Sequence, residues 1–301
     1  MMEKFKSYFN LTLILILGWS FVGCQPSTKH SENNTVNEQP YILHLGQQGI
    51  SDFVKYNDGQ VDRQPAGAGF RELDFSPPHL GKIRIENGPN SFVIDHIFSV
   101  LGTSFNQADG IQGLDIDAGL NKDEFVSPEQ AYQGYVNLMK QLNQAGWKNY
   151  FYRSDARISI KDNIKYLLEW GDIIDPNYIF NYEEWKKIVI SKRNGSLGYT
   201  LYANGVILKL SIDKTNEKDG KEQYMVRYAF DTVRYNQRNL IDDAEHNIDT
   251  YKMTATELEQ AFKKELVLDK KAREIDEKEA ISKGYHIDEN YVDPDIWPYV
   301  K

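Results

Sequence analysis

The chain has 301 residues, 41% of them hydrophobic and 26% charged, close to ordinary globular usage. Its formal net charge of -9 argues against a nucleic-acid partner, which needs clustered Lys and Arg to neutralise phosphates. The same balance argues against anionic lipid headgroups as a surface for the folded part. A single cysteine excludes an intramolecular disulfide.

Residues 11–24, LTLILILGWSFVGC, form the one long apolar run and end at that cysteine, Cys24. Lys4 and Lys6 precede the run, and no charge falls between Ser7 and Ser27. A basic segment, an apolar segment and small residues at a cleavage site follow the order of a secretory signal. An uncleaved anchor is the alternative, but a spanning helix wants about 20 apolar residues. Phe21-Val22-Gly23-Cys24 resembles a bacterial lipobox, with Phe21 where Leu, Val or Ile is usual. That resemblance implies a signal peptide over residues 1–23, and a Cys24 thiol that receives diacylglycerol and becomes the new N-terminus. The membrane would then be reached through the acyl chains on Cys24. Gln25 in place of Asp resembles lipoproteins sorted to the outer membrane, with the body on the periplasmic face. Losing Glu3, Lys4 and Lys6 removes one net positive charge, so -9 becomes -10.

Residues 24–40 are polar, with Val36 their one aliphatic residue, and predict a tether unable to bury a core. Residues 41–301 are read as one domain, with a looser part at 41–110 and a helical extension at 250–301 as a possible subdivision. Residues 41–45 suggest a first strand. Residues 46–78 are rich in Gly, Asp, Gln and Pro without a sustained period, so irregular structure with short strands is expected. The QPAGAG run at 64–69 lacks the Lys and hydroxyl of a phosphate loop. Residues 82–86, KIRIE, alternate like a half-buried strand, while 91–100 read as strand or short helix. Within them His96 follows Asp95, and neighbours on a strand point to opposite faces.

Four acids then gather in residues 111–124: Asp115, Asp117, Asp123 and Glu124. Counted from Asp115 as a calcium loop, Gly119, Leu120 and Val126 occupy positions that need an acid, Gly and Glu. A solvated acidic turn or a docking face is expected, with a looser oxygen cage as the alternative. Ser127, Pro128 and Gln130 open a helix over 128–145 with a capping box. Ala131, Tyr135, Leu138, Met139 and Leu142 form its apolar stripe, and Gly146 ends it. A strand is expected over 147–152, then helices over 162–170 and 182–190, the latter capped by Asn181 with Trp185, Ile188 and Val189 inward. Glu169, Asp172, Asp175, Glu183 and Glu184 would make a glycosidase pair only if two faced each other across a sugar. Helix-surface charge is the expected role.

Asn204-Gly205 between alternating strands predicts a type I′ hairpin, and 223–235 a third strand pairing back. Thr254 and Glu257 cap a long helix over 255–283, its second half almost wholly charged. The aromatic tail 285–301 is a strap or a loose end. The expected fold is α+β, an antiparallel meander sheet with several packed helices and a long C-terminal helix.

No G-x-S-x-G, H-E-x-x-H or paired C-x-x-C occurs, so hydrolase and zinc chemistry lack their usual residues. A site assembled from distant residues stays the enzyme alternative. No catalytic residue, metal or cofactor is expected. The run from S-P-E-Q through A-Y-Q-G-Y-V-N-L-M, A-G-W and D-P-N-Y to Y-E-E-W-K and the N-G hairpin spans about residues 113–231. It is similar to periplasmic lipoproteins that act as immunity partners of type VI secretion effectors. The resemblance implies an anchored protein that binds and blocks a toxin delivered into the envelope. An acidic, Tyr-rich body suits a basic toxin or envelope component, with Asp115, Asp117, Asp123 and Glu124 as the candidate face. A structural or assembly lipoprotein of the envelope is the alternative.

Overall fold

The first strand, β1 (Tyr41–His44), runs into α1 (Gln47–Asn57), and the two are clasped by one carboxylate. Asp52 Oδ2 accepts from the His44 backbone N–H at 2.9 Å and meets His44 Nδ1 at 2.8 Å. This is a computed structural model. It describes residues 39–65, 67–190, 196–243, 245–246 and 248–301. Cys24, the signal and nearly all of the tether lie outside the described residues, as does the side chain of Val189.

Next come β2 (Asp62–Arg63), β3 (Gly69–Asp74), β4 (Gly81–Glu86), β5 (Phe92–Ser104) and β6 (Gly113–Gly119). After α2 (Pro128–Gln144) follow β7 (Lys148–Asn149), α3 (Asn163–Trp170), β8 (Asp172–Ile173) and α4 (Tyr182–Ile190). The hairpin partners are β9 (Ser196–Ala203), β10 (Val206–Lys218) and β11 (Lys221–Thr232). Last come α5 (Val233–Ile241), α6 (Ala255–Ser282) and α7 (Trp297–Val300). The α+β class holds. The strands form one sheet in the order β1-β4-β5-β6-β11-β10-β9-β7, with β3 also on β5, β2 on β3 and β8 on β9. It is mixed rather than purely antiparallel, because β1–β4 and β8–β9 pair parallel.

Local sequence explains most of these elements. Both predicted capping boxes form, at Ser127 with Gln130 and at Thr254 with Glu257. Asn181 Oδ1 takes the N–H groups of Glu183 and Glu184, each at 3.0 Å. Asn204 and Gly205 adopt φ of 46° and 77°, as a type I′ turn requires, with Ala203 paired to Val206. Three expectations fail. Residues 46–78 contain α1 and β3; α1 hid from the helical period because it buries only Gly49, Asp52 and Phe53. The strand expected over 147–152 shrinks to Lys148–Asn149. The strand over 223–235 stops at Thr232, whose hydroxyl accepts from Tyr235 N–H at 3.2 Å and starts α5.

One face of the sheet holds the main core, covered by α1, α2, α3 and α4. Tyr135 on α2 anchors it: its ring stacks on Trp185 at 4.7 Å, and its hydroxyl meets Tyr199 and the Phe180 N–H, each at 3.2 Å. A smaller core of Tyr150, Ile207, Val233, Phe262, Ile296 and Val300 lies under the C-terminal elements on the other face. The predicted long helix is there, but it is held by charge as much as by apolar contact. Arg153 Nε donates to Asp269 at 3.0 Å and Arg157 Nε to Glu277 at 2.7 Å. Arg273 on α6 donates to the carbonyls of Asp155 and Tyr152 and pairs with Asp293. The tail is a strap: Asp288 N–H donates to the Arg157 carbonyl at 2.6 Å, and Arg238 Nε to that of Val300 at 3.0 Å.

Candidate functional site

The four sequence acids do not form one surface. Alternation along β6 turns Leu114 and Ile116 to the main core and Asp115 and Asp117 to the opposite face. They are therefore strand residues, not a turn. Asp115 stands in register between Leu101 and Ala229; Asp117 stands between Ser99 and Arg227, whose Nε lies 3.3 Å from its carboxylate. On β3, Glu72 and Asp74 continue the same two rows opposite Leu101 and Ser99. Lys209 and Asp231 complete the face from β10 and β11. Asp123 and Glu124 lie beyond the strand, exposed. Glu124 accepts from Gln223 Nε2 at 3.0 Å, and Asp123 lines a groove on the helix side of the sheet.

The face beside β6 carries strained charge. Burial raises the Asp231 carboxyl to about pKa 6, with Lys209 opposing and Asp115 adding to the rise. Desolvation among the strands, then the Asp117 charge, raises Asp115, although its side chain still reaches solvent. Burial would lower Lys209, but Tyr152 and the carboxylates of Asp231 and Asp172 outweigh it and hold the ammonium charged. Among the described residues no three His, Cys, Asp or Glu side chains assemble as a metal cage.

On the other side, a groove of about 610 Å³ runs between α2, the Val93–His96 stretch of β5 and the loop after β6. His96 borders it with a positive φ of 61°, at an irregularity in the β4–β5–β6 register. Burial depresses the His96 pKa, so the ring is neutral at neutral pH. The α2 side of the groove presents Gln130, Gln133, Asn137 and Gln141, a stripe legible in the sequence from its spacing alone but not singled out there. The suspected glycosidase acids serve the fold instead. Glu169 accepts from the Tyr285 hydroxyl, Glu184 from the Tyr178 hydroxyl at 2.8 Å, and Asp175 caps Asn177.

No protein-family model, curated protein or solved structure matches the chain. Among the described residues no helix is long and apolar enough to cross a membrane.

Proposed function

We propose that the chain is a membrane-anchored periplasmic binding lipoprotein that neutralises a toxin acting in the cell envelope, by occlusion and without catalysis of its own. The observation that carries this reading is the open sheet face. There Glu72, Asp74, Asp115 and Asp117 outnumber the exposed Arg227 on strands no helix covers. Such a face steers a basic partner and suppresses acidic ones. The lipobox ending at Cys24 and the similarity of residues 113–231 to immunity partners of type VI effectors favour the same reading.

Deleting the gene and challenging the strain with toxin-armed sister cells tests it. The deletion strain should be killed, a wild-type copy should restore survival, and a folded Asp115→Lys/Asp117→Lys copy should restore little. A Cys24→Ser copy should leave the membrane fraction and protect poorly. Unchanged survival of the deletion strain against every armed relative overturns the reading. An envelope defect in monoculture assigns a structural or assembly role instead.

A further inference from the structure

The groove beside α2 is lined on its helical side by carboxamides, and each is only half used. Gln130 Oε1 accepts from the Ser127 N–H at 3.0 Å, which leaves its NH2 without a partner among the described residues. Gln133 Nε2 donates to Asn137 Oδ1 at 2.9 Å, leaving the Gln133 oxygen and the Asn137 NH2. Gln141 Nε2 donates to the Val93 carbonyl at 2.8 Å, leaving the Gln141 oxygen. Along about 16 Å of helix the unspent groups thus alternate donor, acceptor, donor, acceptor. None of the four is ionised. The floor is apolar, formed by Leu138 and Val226, and the volume of about 610 Å³ suits an oligomeric small ligand.

An ion gains little from such a lining, whereas a hydroxyl donates and accepts and satisfies either kind of group. An acetamido substituent adds one N–H, one carbonyl and a methyl for the floor. A peptide adding as a strand needs a free edge, and Gln141 already occupies the Val93 carbonyl on that edge. We infer that this groove binds an uncharged glycan of the N-acetylated class. The site is on the opposite side of the sheet from Asp115 and Asp117 and does not depend on the toxin-binding reading.

Titrating the purified full-length protein with chitotetraose, followed by calorimetry and by the side-chain amide signals of Gln133 and Asn137, tests the assignment. Saturable binding is expected, weakened at least tenfold in Gln133→Ala/Asn137→Ala. Ala favours the helix at both exposed positions, so an unchanged urea midpoint certifies the fold. Cellotetraose, which lacks acetamido groups, should bind at least tenfold more weakly. Absence of saturation with chitotetraose, or wild-type affinity in the double variant, overturns the site. Equal binding of cellotetraose overturns the N-acetyl assignment. Perturbation of those amide signals by a protein partner and by no sugar overturns the glycan in favour of a polypeptide.

Discussion

Asp231→Asn should stabilise the protein, and only where Asp231 would be ionised. Asp231 lies on β11 opposite Gly113 and Ile207, in a setting that lifts its carboxyl from 3.8 to about 6. A folded pKa above the unfolded one means the native state binds the extra proton. Stability is therefore full below about 3.8 and falls as pH rises towards 6. A move from 3.8 to about 6 is worth about 3 kcal/mol at about 1.4 kcal/mol per pH unit. Partial solvent access to the carboxylate trims this to about 2 kcal/mol. Lys209 is already counted, because its attraction is among the influences that set the value. Asparagine keeps the shape and removes the charge. With a urea slope of about 3 kcal/mol per M, the variant's midpoint should rise by about 0.7 M at pH 8 and hardly at all at pH 4. An equal gain at both pH values, or none at pH 8, refutes the assignment of a costly charge to this carboxylate.

Asp269→Ala strands the Arg153 guanidinium, whose side chain is only 10% exposed. A loss of about 3 kcal/mol is expected in urea unfolding, with hydrogen exchange of α6 accelerating before that of the sheet; a loss under about 1 kcal/mol would refute it. Gly110→Ala combines a φ of +74° with a Cβ 2.3 Å from the Gly46 backbone, so it should cost at least about 2 kcal/mol. Gly220→Ala shares the conformation in open space and should cost only about 1 kcal/mol, and equal melting points of the two variants would contradict the steric reasoning. His96 has a depressed folded pKa, so its contribution is present above 6.5 and lost as pH falls below it; an NMR titration midpoint at or above 6.5 would contradict the burial argument.

The elements legible in the sequence were those whose signals are local. A capping hydroxyl with its Gln or Glu three residues on, an apolar stripe at helical spacing, and Asn-Gly between alternating runs each act through neighbours in the chain. Ser127, Thr254 and Asn204 accordingly sit where expected. What failed had no local signature. α1 docks through Asp52 on His44, and the α6 arm docks through Arg153 and Arg157 on Asp269 and Glu277. Their inward faces look solvated in sequence because their partners lie on distant segments.

The lipobox and the acidic balance are properties of the sequence by itself, since hydropathy and charge need no partners to be read. So is the membership of Asp115 and Asp117 in one run with Asp123 and Glu124. Only the tertiary structure decided that the run divides across the sheet, because strand alternation and the end of β6 send its two halves to different faces. Pairing register likewise brought Glu72, Asp74 and Arg227 beside the first half, and packing of α2 against β5 set four carboxamides along a groove near the second.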